Sequence, residues 1–180
     1  IAADNMAGRR DTYGGVQYTS IVKVFSKTAA ATGKNERMLA REGLTYGKDY
    51  KIALLHPFSH VKYSPGARQM VVKLLFATDG LVLGAQIIGA DGVKARIDAI
   101  ATAIRFHAKT SDLVNLELAY APPFGAPKDP VNLAGCIAEN IRAGLVSFVR
   151  VRDLEKELQA GARVLDVREP AELLAGHIEG

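Results

Sequence analysis

The sequence has one cysteine, Cys136, which excludes an internal disulfide framework and suits a cytosolic origin. No apolar run approaches the roughly 20 residues of a membrane span. No signal peptide is visible. There is no G-x-G-x-x-G, no Walker loop, no C-x-x-C and no H-E-x-x-H, so this segment has no Rossmann loop of its own for a dinucleotide. Histidine is sparse: His56, His60, His107 and His177. The spacing of His56 and His60 would matter on a helix, but Pro57 and Ser59 argue against one there. The four read as surface or loop histidines, and no metal is expected. Repeats and low-complexity tracts are absent. The net charge of +4 is spread along the chain, which tolerates phosphate-bearing ligands and does not call for nucleic acid.

What is present fits one domain plus a piece of another in 180 residues. The first residue is Ile1, and Gly180 falls inside a pattern that continues, so the sequence reads as an internal segment of a longer protein. Residues 1–8 look like the end of a helix closed by Gly8. Residues 18–25, 28–32 and 50–56 have strand composition, and Asn35 caps a short helix over 36–42. The clearest element is a hairpin: 69–77 and 81–89 are apolar and β-branched around Thr78-Asp79-Gly80. Gly84 inside its second strand predicts a bulge or a close backbone approach. Val93, Ile97, Ile100, Ala101 and Ile104 mark the apolar face of a helix over 93–108, with Lys94, Arg96, Asp98 and Arg105 largely elsewhere. Ser111-Asp112 starts a further turn of helix.

Residues 120–132, Tyr-Ala-Pro-Pro-Phe-Gly-Ala-Pro-Lys-Asp-Pro-Val-Asn, hold four prolines. Each ring fixes φ and removes a donor, so the segment is expected to be a stiff extended arm presenting Tyr120 and Phe124. Asp129 then caps, and Pro130 opens, a helix to Ala143 that buries Ala134, Ile137, Ala138 and Ile141. Cys136 lies about two turns in, without a basic neighbour one turn away, and reads as a small core or interface residue. Beyond Gly144 the composition changes: a connector with strand character over 145–152, a helix capped by Asp153, a strand over 163–167, and a helix starting at Arg168-Glu-Pro-Ala-Glu.

Several motifs occur in a fixed order: Lys23-Val-Phe, Ala31-Thr-Gly-Lys-Asn-Glu, His60-Val-Lys-Tyr-Ser-Pro-Gly-Ala, Gly84-Ala-Gln-Ile-Ile-Gly, Arg96-Ile-Asp-Ala and Leu116-Glu-Leu-Ala-Tyr-Ala-Pro-Pro-Phe. In that order they resemble the C-terminal interface domain of the FAD-dependent pyridine nucleotide-disulfide oxidoreductases. The glutathione reductase branch carries a His-Pro-Thr…Glu relay where this chain has Tyr-Ala-Pro-Pro-Phe. The chain is instead similar to the branch of coenzyme A disulfide reductase, NADH oxidase and NADH peroxidase. Val164-Leu-Asp-Val-Arg-Glu-Pro-Ala-Glu and Gly176-His-Ile-Glu-Gly resemble the opening of a rhodanese domain.

The resemblance implies an α+β fold, an antiparallel sheet with flanking helices, followed by an incomplete α/β rhodanese piece. It divides the chain into the end of an FAD-binding domain (1–17), the dimerisation domain (18–144), and a linker with a truncated rhodanese part (145–180). In a homodimer, Tyr120 and Ala121 would lie beside the partner subunit's FAD, with Tyr63 reaching the same cavity. The family often has a second tyrosine next to Tyr63, where this chain has Ser64. A phenol, a neutral donor with pKa about 10, stabilises or protonates a thiolate leaving group without a His-Glu relay. Lys128 would meet a coenzyme A phosphate, and Asp166 and Arg168 would shape the mouth of the rhodanese loop. NAD(P)H is the implied electron donor, and coenzyme A disulfide, a persulfide or polysulfide the substrate. No nucleic acid or membrane partner is expected, and the cytoplasm is the expected location. The segment alone is expected to be catalytically silent. An NADH oxidase or peroxidase, or a non-catalytic self-association module, stays open as an alternative. The rhodanese piece has no partner strands and is expected to pack poorly in isolation.

Overall fold

The computed structural model describes residues 1–174 and 176–178. Its elements are α1 (Ala2–Met6), β1 (Ser20–Val24), β2 (Lys27–Gly33), α2 (Glu36–Arg41), β3 (Tyr50–Leu55), β4 (Val71–Ala77), β5 (Val82–Gly89), α3 (Val93–Arg105), α4 (Thr110–Asn115), α5 (Pro130–Arg142), α6 (Leu154–Gln159) and α7 (Pro170–Leu173). They form two compact units, Ile1–Val146 and Ser147–Gly180.

In the first unit five antiparallel strands run in the order β1-β2-β5-β4-β3. The expected β4–β5 hairpin forms, with Gly80 at φ 94° and the Leu81 amide donating to the Asp79 carboxylate at 3.0 Å. Asn35 caps α2 by accepting from the Met38 amide at 3.0 Å. Side chains alternate across the sheet. Val72, Leu74 and Phe76 of β4 and Ala85 and Ile87 of β5 are buried, as are Ile97 and Ile100 of α3 and Ala134, Ala138 and Ile141 of α5. α3 packs against β2 and β5, and α5 against β3 and β4. Ile137, expected among the buried residues of α5, is only half-buried. On the opposite face, Lys73 of β4 pairs with Glu36 of α2. That face also carries a cross-strand row, Val22–Ala29–Ile88–Val71, in which Val22 and Ile88 are about half exposed.

One polar junction ties α5 to the hairpin turn. The Thr110 hydroxyl donates to Glu139, Arg142 donates to both Glu139 oxygens at 2.8 and 2.9 Å, and the Arg142 Nε reaches the Thr78 carbonyl at 3.4 Å. The Thr110 hydrogen bond, helped by Arg142 against the opposing effect of burial, holds the Glu139 carboxyl below its ordinary range. The folded value lies below the unfolded one. The contribution to stability is therefore present above the ordinary glutamate range and fades as pH falls through the folded value. Glu139→Gln is expected to be less stable than wild type at neutral pH and to lose less on acidification. Urea unfolding at pH about 7 and about 3.5 checks this; parallel losses in both chains would dissociate Glu139 from the acid response.

The second unit departs from expectation. Residues 145–150 and 163–167 form no strand among the described residues; a 3-10 turn, Val151–Asp153, leads into α6. A strand needs a neighbour for its backbone donors and acceptors. None is present among the described residues, and Leu165 and Val167 stay 84% and 86% exposed. Asp153 precedes α6, but its carboxylate bonds to Arg150 rather than capping the helix. Arg168 grips Asp166 with Nε at 2.9 Å and a terminal nitrogen at 2.6 Å, and it donates to the Gly176 carbonyl at 2.9 Å. Hydrogen bonding to Arg168 pulls the Asp166 carboxyl down to about 2.

Candidate active-site surface

The helix start at Asp129-Pro130 organises the first unit's candidate site. Asp129 accepts from the Val131 amide at 3.0 Å, and Asn132 accepts from the Asp129 amide at 3.1 Å, a reciprocal cap. Asn132 is buried because its Nδ2 also serves the carbonyls of Leu113 and Leu116, both at 2.9 Å. It thereby fixes the approach to Tyr120.

Arg96 was expected on the polar side of α3 and is instead buried. The reason is tertiary. Its Nε and a terminal nitrogen hold Asp129 Oδ2 at 3.0 and 2.8 Å. The same terminal nitrogen also reaches the carbonyls of Ser59 at 2.8 Å and Phe124 at 3.3 Å, and the other terminal nitrogen reaches that of Gly92 at 3.3 Å. A guanidinium tolerates burial when its donors are paired in this way.

The arm also differs from expectation. Ala121 to Gly125 form a turn, not an extended run, in which the Phe124 and Gly125 amides both donate to the Ala121 carbonyl, at 2.8 and 3.1 Å. The fixed φ of proline suits a turn as well as an extended chain. Long-range contacts then select the turn: Arg96 holds the Phe124 carbonyl, and the Val61 amide donates to the Gly125 carbonyl at 3.2 Å. Tyr120 is 46% exposed, Ala121 is half-buried, and Phe124 and Lys128 are exposed.

Tyr63 sits on a separate loop. There the Ser64 amide donates to the Val61 carbonyl at 3.0 Å. His60 is a loop histidine, as the sequence allowed, but it is buried rather than at the surface, and it braces this loop. Ser59 Oγ accepts from the Arg68 amide at 3.2 Å and lies 3.1 Å from His60 Nδ1. That network assigns the Nε2 proton, which points at the Pro65 carbonyl at 3.2 Å across the Tyr63 turn.

The two loops bring the two phenols together. The neighbouring Tyr63 hydroxyl, aided by desolvation and by the charge of Tyr63, pushes the Tyr120 phenol above its ordinary value. Tyr63 is 77% exposed, so the pair faces outward. Residue-by-residue reading missed that Arg96, His60 and Asn132 are buried and hydrogen-bonded around these loops. The available signal was that Arg96 and His60 each stand inside a quoted motif. Cys136 is half-buried on α5, and no group of metal-ligating side chains occurs among the described residues. No helix among them is long and apolar enough to cross a membrane.

Sheet, helices and motif order together define a reductase interface domain, and residues 19–129 match the pyridine nucleotide-disulphide oxidoreductase dimerisation domain. The chain belongs to that family. It is 33% identical over 143 residues to coenzyme A disulfide reductase of Staphylococcus haemolyticus, an alignment covering 78% of this chain and 31% of that protein. The crystal structure of reduced Bacillus anthracis CoADR-RHD superposes with a TM-score of 0.92 at 42% identity, covering 99% of this chain and 32% of the other. A NAD-dependent persulfide reductase from A. fulgidus gives a TM-score of 0.78 at 36% identity, with 86% and 28% coverage. The chain thus spans about a third of the length of its relatives. The family implies use of flavin and NAD(P)H.

Proposed function

We propose that this chain is the interface segment of a homodimeric, FAD-dependent NAD(P)H oxidoreductase that reduces coenzyme A disulfide, a persulfide or a polysulfide. The observation that carries the reading is the outward-facing Tyr63–Tyr120 pair. Two phenols on one surface supply neutral hydrogen-bond donors to something held by another polypeptide. They fit a partner-held flavin and a sulfur leaving group, a reading that the match to a dimerisation domain supports. FAD, once bound and reduced by NAD(P)H, would supply the electron pair that splits the sulfur–sulfur bond. The residues here orient and protonate. Tyr120 and Ala121 would line the partner's flavin, Tyr63 and Tyr120 would stabilise the departing thiolate, and exposed Lys128 would take a coenzyme A phosphate. The division at residues 17 and 144 is part of this reading, as is a rhodanese role for the tail. The Asp166–Arg168 grip and the similarity of nearly the whole chain to CoADR-RHD support the latter.

The test is Tyr120→Phe in the full-length flavoenzyme. Loss of one donor to a developing thiolate is worth about 1–1.5 kcal/mol, so thiol release should slow by roughly tenfold while flavin reduction by NAD(P)H keeps its rate. Stopped-flow absorbance separates the two steps. Equal slowing of both would contradict the assigned role.

A further inference from the structure

The two phenols sit on different loops, yet one nitrogen serves the main chain of both. A single terminal nitrogen of Arg96 donates to the Ser59 carbonyl at 2.8 Å, ahead of Tyr63, and to the Phe124 carbonyl at 3.3 Å, just past Tyr120. The same nitrogen holds Asp129 Oδ2 at 2.8 Å, where the arm ends. His60 closes the Tyr63 loop through the Pro65 carbonyl, and the Val61 amide meets the Gly125 carbonyl beside it.

We propose that Arg96 is a positioning residue that sets the separation of the Tyr63 and Tyr120 hydroxyls, with His60 bracing the Tyr63 side. The proposal rests on the reading of these phenols as the substrate-facing groups. Its mechanical content is specific. The hydrogen bonds of Arg96 go to main-chain carbonyls and to Asp129, so any effect on the phenols is transmitted through the two loops. The planar guanidinium fixes the place of the shared nitrogen, because in the same rigid fork Nε holds Asp129 Oδ2 at 3.0 Å and the other terminal nitrogen holds the Gly92 carbonyl at 3.3 Å. A lysine keeps the charge but lacks the two further nitrogens that hold Asp129 and the Gly92 carbonyl, so its ammonium sits on a flexible stem with nothing to fix it between the loops. A change that leaves charge and fold in place should therefore separate the phenols.

The experiment incorporates 3-fluorotyrosine into the full chain and follows each ring by fluorine NMR against pH. The fluorine lowers phenol pKa values, which moves the titration into a range where the fold survives. Tyr→Phe variants assign the signals. In wild type the Tyr120 midpoint should lie above that of free 3-fluorotyrosine, and Tyr63→Phe should lower it toward that value. Arg96→Lys should bring it down by the same amount, with Tyr46 and Tyr50 unchanged as reporters of the intact fold. Adding Tyr63→Phe to Arg96→Lys should lower it no further. A folded Arg96→Lys chain that keeps the wild-type Tyr120 midpoint overturns the proposal. Should Arg96→Lys fail to fold, His60→Phe serves instead, since it keeps a ring in the site and removes the donor to the Pro65 carbonyl: a lowered midpoint supports the proposal, and a wild-type midpoint overturns it. No turnover enters this readout. Failure of the Tyr120→Phe kinetics therefore strikes the functional reading alone, and failure here strikes only the positioning role.

Discussion

Asp129→Ala is expected to lower the unfolding free energy by about 3–5 kcal/mol, read from urea unfolding. The Arg96 and Asp129 side chains are only 7% and 13% exposed. Removing one partner from a buried pair leaves the other charge desolvated and unpaired, and that orphaned charge dominates the loss. The helix cap adds about 1 kcal/mol, because the Val131 amide loses its acceptor. Against a typical total of about 5–15 kcal/mol, this single change removes a large fraction of the stability. Asp129→Asn retains the capping oxygen and should fall between the two. A loss under about 1 kcal/mol for the alanine variant would mean that water already screens the pair.

Gly84→Ala should cost a comparable amount for a steric reason. A Cβ at this position would lie 2.0 Å from the Lys34 carbonyl oxygen and 2.7 Å from its nitrogen. Both are main-chain atoms, so no rotamer change relieves the clash. The backbones are this close because the Lys34 amide donates to the Leu83 carbonyl at 2.8 Å, and because the β4–β5 register slips between Leu75 and Phe76, leaving Leu83 unpaired. Inserting a methyl must push the end of β2 off β5. Overpacking costs about 1–3 kcal/mol where side chains give way, so a cost of about 3 kcal/mol or more is expected here. The check is chemical denaturation together with amide exchange at Lys34, which should lose protection before the rest of β2. A stability within about 0.5 kcal/mol of wild type would show that the strands separate at little cost.

Much of the framework was legible because its signals are local. Asp79-Gly80 specifies a hairpin turn, Asn35 and Asp129-Pro130 specify helix starts, and Gly84 marked the close approach that the register slip produces. Motif order pointed to Tyr63 and Tyr120, though not to the influence of one phenol on the other, which needs two loops far apart in sequence. Arg96 read as polar surface because helical periodicity sorts residues by type. It cannot foresee a carboxylate arriving from another helix.

By itself, then, the sequence determined which segments turn, cap and pair, since those choices depend on residues within a few positions of one another. Only the tertiary structure decided that the proline-rich arm curls, that His60 and Arg96 are buried, and that residues 163–167 remain without a sheet. Those outcomes depend on which distant carbonyl, carboxylate or strand is at hand, and spacing along one chain carries no record of it.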